Sequence, residues 1–153
     1  MSSGSENIKM LNDLLKVKYS LLERMLDITK LQSEAIDRED LAALNKLIEE
    51  KQNKIDDIDR IDEKFNMGFS RSKKQLNTLD TLETRELKQN TERILSIIND
   101  IIKFEKENNE KMHSSMDSYK VQMNNINVGK KAISIYNKPY TPSNSSIFID
   151  RKK

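Results

Sequence analysis

Apolar residues recur along most of the chain at alternating spacings of three and four, the pattern of helices that bury one face. Two such rows run side by side between Ile8 and Ile36, and each has six apolar members. The first row is Ile8, Leu11, Leu15, Lys18, Leu22, Met25, Thr29, Gln32 and Ile36. The second row is Leu14, Val17, Leu21, Arg24, Ile28, Leu31 and Ala35. Two adjacent rows predict a helix that contacts two neighbours, which favours a bundle.

Four charged residues at 37–40 interrupt this pattern, and Asp37 is a suitable N-cap for a helix that resumes at Arg38. The next row has six apolar members among eight positions: Leu41, Leu44, Ile48, Lys51, Ile55, Ile58, Asp62 and Phe65. Glycine takes the left-handed conformation of a helix C-cap at little cost, so this helix is expected to end near Met67 and Gly68. Residues 69–84 are rich in Ser, Thr and Asn and predict a connection containing a short helical turn.

A long last helix is predicted from about Thr84 to Ile126, a stretch without Pro or Gly. Beyond 126 the helical pattern fades, and the tail carries two small apolar groups: Ile133, Ile135 and Tyr136, then Ile147, Phe148 and Ile149. The predicted fold is all-α, an elongated antiparallel helical bundle or coiled coil of about three long helices. It occupies residues 1–128, with a linker at about 66–84, and an irregular, flexible tail follows at 129–153.

The amino-acid composition argues against several classes of protein function. The 153 residues are 35% hydrophobic and 34% charged, which fits long helices with narrow apolar rows better than a large rounded core. The absence of Cys excludes disulfides, thiol catalysis and Cys-ligated metals, and three Gly cannot build the usual nucleotide-binding loops. His113 has no second His to complete a metal site, and the acidic cluster around Asp59 and Glu63 lacks the Glu-x-x-His motif of di-metal bundles. We expect neither an enzyme nor a bound metal or cofactor.

The net charge of +2 conceals an uneven distribution. Residues 129–153 hold six basic groups and one acidic group, a net of +5, whereas the remainder holds 21 basic and 24 acidic groups, a net of −3. An acidic body argues against a nucleic-acid partner. No secretory signal begins the chain and no apolar run is long enough to span a bilayer, so a cytoplasmic protein without membrane insertion is expected.

Methionine carries much of the apolar face of the last helix beyond Phe104, at Met112, Met116 and Met123. Its unbranched, polarizable side chain either fills an irregular core or forms an adaptable surface for partner helices. The apolar groups of the tail allow the same two interpretations, because they could dock on the bundle itself or fold over a bound helix. The pattern alone leaves both open.

Three segments make the chain resemble the FlgN-type flagellar export chaperones. Residues 40–51 (DLAALNKLIEEK) are similar to that family's D-L-x-x-L run with a following Glu/Lys stretch, and residues 107–112 (ENNEKM) to its Asn followed by an apolar position. The ending also resembles that of clostridial and bacillus-like relatives, with GKKA at 129–132, Tyr136, and a terminal FID at 148–150 and Lys. The resemblance covers most of residues 8–150.

This resemblance implies a cytoplasmic chaperone without catalysis or cofactor. Such chaperones bind the C-terminal helices of hook-associated proteins, prevent premature assembly and bring them to the export apparatus. Helix-in-groove binding by a shallow Met/Tyr surface and an apolar-studded tail fits that role. The expected client-binding residues are Met112, Met116, Tyr119, Met123, Ile126, Ile133, Tyr136, Ile147, Phe148 and Ile149.

Two alternatives from other classes remain at this point. A homo-oligomeric coiled-coil structural or adaptor protein would cover the double row of residues 8–36 with a second copy. A peripheral membrane or nucleic-acid binder would act through the +5 tail, and its affinity would fall steeply with added salt.

Overall fold

The computed structural model describes residues 3–78, 80–116 and 120, and within these ranges it contains α-helices and no strand. Helix α1 spans Ser3–Asp37, α2 spans Leu41–Arg71, α3 is a short helix at Lys73–Thr78, and α4 spans Leu82–Ser114. The predicted all-α bundle of three long helices is confirmed. The expected continuation of the last helix to Ile126 falls mostly outside the described residues, and the tail at 129–153 lies wholly outside them.

The chain divides into two compact units. Among the described residues, unit 1 contains α1 up to Glu23 together with the chain from Ile55 to Ile98, and unit 2 contains Arg24–Lys54 together with the described residues from Asn99 onward. Each unit therefore holds a section of α1, of α2 and of α4, and each buries its own set of side chains. The boundary proposed between bundle and tail stays a prediction.

The two predicted rows of α1 differ in solvent exposure. Every position of the first row is buried, including the polar members Lys18, Thr29 and Gln32. The second row is covered only in part, because Val17 is 51% exposed and Leu31 48% exposed. The predicted contact of α1 with two helices is confirmed, but these neighbours leave Val17 and Leu31 of the second row about half exposed. The first row already supplies contacts with two helices, since Lys18 in unit 1 binds α2 and Thr29 in unit 2 accepts a bond from α4.

The turn between α1 and α2, in unit 2, is closed by backbone hydrogen bonds around Glu39, which has a positive φ of 55°. The Asp40 N–H donates to the Ala35 carbonyl at 2.9 Å and the Glu39 N–H to the Ile36 carbonyl at 3.0 Å, the two bonds of a Schellman motif. The Asp40 carboxylate then accepts the N–H of Ala43 at 3.0 Å and caps α2. The N-cap is thus Asp40 rather than the expected Asp37, which is still helical, because the left-handed residue at 39 delays the new helix until 41.

Helix α2 continues through Gly68 to Arg71, three residues beyond the expected end. Gly68 has no positive φ and does not act as a C-cap. A Cβ atom at this position would lie 2.9 Å from Leu11 Cδ2 and 3.0 Å from Met10 Cε, so glycine permits α1 to approach α2 closely in unit 1. The expected connection at 69–84 does contain a short helix, α3.

A reciprocal pair of threonines caps the start of α4. The Thr84 N–H donates to Thr81 Oγ1 at 3.2 Å, and the Thr81 N–H donates to Thr84 Oγ1 at 2.9 Å. This is the geometry of a capping box, with threonine in the place usually held by Glu or Gln. It explains why α4 begins at Leu82, two residues before the predicted start.

None of the helices in the described part of the chain is long and apolar enough to cross a membrane.

Candidate functional site

The first residue of the predicted binding surface, Met112, lies in the core of unit 2. Its side chain is 1% exposed and belongs to a buried cluster contributed by all three helices of the unit. The other members are Ala35, Ile36, Leu41, Leu44 and Ile48. Of the two roles open to methionine, core filling or adaptable surface, the structure gives Met112 the first. A partner could contact it only if this cluster opened.

Met116, one helical turn further along the chain, lies at the edge of the same cluster. It is half-buried and packs against the buried members together with Ala43 and Leu47. Part of its side chain is therefore accessible while the remainder is held by the bundle. Of the two predicted binding residues in the described structure, Met116 is the one with an accessible side chain.

The remaining predicted residues lie outside the described part of the chain. They are Tyr119, Met123, Ile126, Ile133, Tyr136, Ile147, Phe148 and Ile149. Their role in binding stays a prediction, and the described structure tests neither their contacts nor their exposure.

Polar bonds within unit 2 fix the end of α4, which carries Met112 and leads to Met116. The Asn108 amide donates to the Thr29 carbonyl at 3.1 Å inside the core. One turn later the Lys111 ammonium donates to Ser33 Oγ at 2.6 Å and forms an ion pair with Asp37 at 3.0 Å. These bonds join α4 to the last turns of α1, so Met112 and Met116 are presented by an anchored segment of helix.

An open cleft of about 440 Å³ lies beside this anchor, in unit 2. It is lined by Ile36, Asp37, Glu39, Glu107, Glu110, Lys111, Ser114 and Ser115. Four carboxylates and one ammonium make the lining acidic.

A buried lysine dominates the electrostatics of unit 2. Lys51 of α2 donates to Gln32 Oε1 of α1 at 3.2 Å and forms an ion pair with Glu105 of α4. Burial lowers the pKa of Lys51 to about 7, because removing the ammonium from water disfavours its charged form. The sequence pattern placed Lys51 on the buried face, but it contained no signal for the partners that meet there.

Several large apolar side chains are exposed, and the sequence pattern does not distinguish them from buried ones. In unit 1 these include Met10 at 40% and Met67 at 59% exposure, in addition to Val17; unit 2 has Leu31 and Ile102. The sequence signal for such exposed side chains is the second apolar row of α1, which adds apolar residues beyond the buried first row. What the pattern could not tell was which members a neighbour covers.

No group of three or more His, Cys, Asp or Glu side chains in the described residues is placed to hold a metal ion. The chemistry available in this part of the molecule is that of apolar packing, hydrogen bonding and ion pairing.

Comparison with known proteins returned one family. A family model described as FlgN protein matches residues 1–144. No curated protein and no solved structure matched the chain.

Proposed function

This chain belongs to the FlgN family, and from that premise we propose that it is a cytoplasmic chaperone of flagellar type III export. In this proposal it binds the C-terminal helices of hook-associated proteins, prevents their premature assembly and aids their delivery to the export apparatus. The observation that carries the proposal is the family match over residues 1–144. The helical bundle, with Met116 partly covered just beyond the end of α4, supports it.

The physical reason for such a chaperone lies in the client. A helix whose apolar face will be buried in a polymer exposes that face before export, and exposed apolar surface promotes aggregation. Helix-in-groove binding covers this face without chemistry or cofactor. Met116 would contact the client, Met112 would support Met116 from within the core, and the eight predicted residues beyond Met116 would complete the surface.

The first test is co-purification of the full chain with C-terminal helical segments of hook-associated proteins from the same genome, at low and high salt. We expect a one-to-one complex that survives high salt, because apolar contacts are not screened. Binding that disappears as salt rises would assign the affinity to the +5 tail instead. No complex with a correctly folded chain would contradict the proposal.

A matched pair of substitutions tests the described part of the surface. Met116→Glu places a charge at the edge of the proposed groove, and Met67→Glu places the same charge on an exposed methionine of unit 1. We expect Met116→Glu to weaken client binding in calorimetry by about tenfold or more, since an apolar contact of this size contributes about 1.5 kcal/mol or more. Equal affinities of the two variants for the client would show that Met116 does not contribute to the client-binding surface.

Truncation after Val128 tests the tail. We expect the bundle to stay folded, with unchanged helicity by circular dichroism, and client binding to weaken. Burial of Ile147, Phe148 and Ile149 would contribute about 4–6 kcal/mol before the entropy of ordering the tail is subtracted. Unchanged affinity in calorimetry would exclude the tail from binding.

A homo-oligomeric structural or adaptor role is the second candidate, and the exposed positions of the second row of α1 favour it. Val17 and Leu31 are each about half exposed, so α1 retains apolar side chains that a second copy could contact. A mass that rises with concentration in light scattering, without client binding, would support this role. Val17→Glu should then restore the smaller mass.

A further inference from the structure

Among the described residues, each unit buries a lysine–carboxylate ion pair within a largely apolar core. In unit 1 the Lys18 ammonium of α1 lies 2.7 Å from Asp62 Oδ1 of α2, and both side chains are 6% exposed. In unit 2 Lys51 of α2 pairs with Glu105 of α4, and these side chains are 8% and 11% exposed. Within the row of α2 from Leu41 to Phe65, Lys51 and Asp62 are the two polar positions.

These pairs are poorly suited to adding stability. Burial lowers the pKa of Lys18 and raises the pKa of Asp62, so the surroundings disfavour the charged form of both partners. The second oxygen of Asp62, Oδ2, accepts no hydrogen bond from the described residues. Replacing such a buried pair by apolar side chains is often neutral or stabilising. Stability alone does not account for the charges.

The aliphatic rows create a different problem that the pairs can solve. Leucine and isoleucine repeat at near-heptad spacing along α1 and α2. If the turn at residues 38–40 re-formed at neighbouring residues, helices shifted by seven residues, about 10 Å, would therefore still find apolar partners. After such a shift of α1, Asp62 would face Leu11 or Met25 in place of Lys18. A buried carboxylate without its partner disfavours the shifted packing by roughly a hundredfold or more.

The signs of the buried charges also determine which helix can pair with α2 in each unit. Along α2 the cation Lys51 precedes the anion Asp62, whereas α1 supplies a cation to unit 1 and α4 supplies an anion to unit 2. Asp62 of α2 is paired with a lysine of α1, and Lys51 of α2 with a glutamate of α4. An apolar helix from another molecule, which brings no matching charge, would leave a buried ion unpaired in whichever unit it entered.

We propose that the Lys18–Asp62 and Lys51–Glu105 pairs are register locks, which hold α1, α2 and α4 in one alignment and exclude shifted packings and unmatched foreign helices from both cores. The device is independent of the proposed function. In a protein that handles amphipathic helices it would confine them to the surface.

The test replaces one lock and measures alignment directly. Because the chain has no Cys, two introduced cysteines, Lys9→Cys on α1 and Lys64→Cys on α2, can carry spin labels at unique positions of unit 1. In the full-length labelled chain we expect one narrow distance distribution. In the same chain with Lys18→Leu and Asp62→Leu we expect a higher Tm together with additional distances from shifted registers, at least tenfold more populated than in the parent.

The matched control removes an exposed ion pair from the same unit. Lys16 and Glu86 lie 2.8 Å apart with side chains 57% and 40% exposed. Lys16→Leu with Glu86→Leu should leave the distance distribution of the parent unchanged. Broadening in this control to the same extent would overturn the proposal, because apolar substitution in general would then be the cause.

A reversed pair, Lys18→Asp with Asp62→Lys, covers the case in which the leucine variant does not fold. It should retain the single narrow distance, whereas Lys18→Asp alone should lose it. The proposal is overturned if the leucine variant keeps one narrow distance, if its Tm falls while it remains folded, or if the reversed pair behaves like Lys18→Asp alone.

Discussion

The two units bury charge in different ways. In unit 1 a single pair, Lys18 with Asp62, joins α1 to α2. In unit 2 Lys51 contacts Gln32 of α1 and Glu105 of α4, so three helices meet at one ammonium. The buried ion pair of unit 1 therefore involves two helices, whereas the contacts of the buried lysine in unit 2 involve three. The cores should therefore respond differently to substitution and to pH.

The largest effect is expected in unit 1 when one member of its pair is removed. Asp62→Ala leaves the Lys18 ammonium buried without a counter-charge, which should lower the free energy of unfolding by about 3–5 kcal/mol. Urea denaturation followed by circular dichroism measures this. Glu86→Ala, which removes the partner of the exposed Lys16 in the same unit, should leave the free energy unchanged within error. A similar loss in both variants would show that burial does not distinguish the pairs.

In unit 2 the apolar cluster should be the most sensitive part. Met112→Ala creates a cavity among fully buried side chains and should lower the free energy of unfolding by about 2–4 kcal/mol. The same substitution at Met67, which is 59% exposed, should have little effect in the same urea titration. If Met112→Ala were as mild as Met67→Ala, the cluster would not be a packed core.

The lysine of unit 2 should make stability depend on pH. The unfolded chain holds the Lys51 proton up to its ordinary pKa of 10.5, whereas the folded chain releases it near 7, so the folded state gains stability as the pH rises from 7 towards 10. Between pH 7 and 9 the gain should reach about 1–2 kcal/mol. Lys51→Met should show a smaller rise in chemical denaturation over this interval. Parallel curves for the two proteins would mean that Glu105 keeps Lys51 charged in the core.

The smallest effect is expected at the turn of unit 2. Glu39 holds a left-handed conformation that costs a residue with a side chain about 1 kcal/mol. Glu39→Gly should therefore raise the free energy of unfolding by about 0.5–1 kcal/mol. Glu39→Ala keeps the unfavourable conformation and should give no such gain. Thermal denaturation of the two variants side by side separates them.

Periodicity predicted most of the buried face of α1, polar members included, because burial on a helix depends on position before residue type. It did not predict the burial of Asn12, which lies in neither row. The dependence on position is why Lys18 and Gln32 could be placed in the core without knowledge of their partners. The partners themselves, Asp62 and Lys51, lie on another helix, and no local pattern specifies which helices face each other. The alignment of charges across helices is a tertiary property.

The two errors at helix ends have a common origin. Gly68 follows a helical stretch in the manner of a C-cap, and Asp37 precedes one in the manner of an N-cap. The close approach of Leu11 to Gly68 and the left-handed Glu39 decide these positions, and neither is visible in the local sequence. For the candidate site the limit was chemical, because methionine serves cores and surfaces equally well. The neighbours of Met112 from α1 and α2 decided its role.

Asp40 ends one helix with its backbone and begins the next with its side chain. Its N–H closes the last turn of α1 on Ala35, and its carboxylate caps the first turn of α2 at Ala43. An insertion anywhere between Arg38 and Asp40 would separate these two tasks, so this turn should tolerate no change of length. Variation in length among natural or engineered versions of the chain should instead collect around residues 79–81, where α3 has ended and α4 carries its own threonine cap.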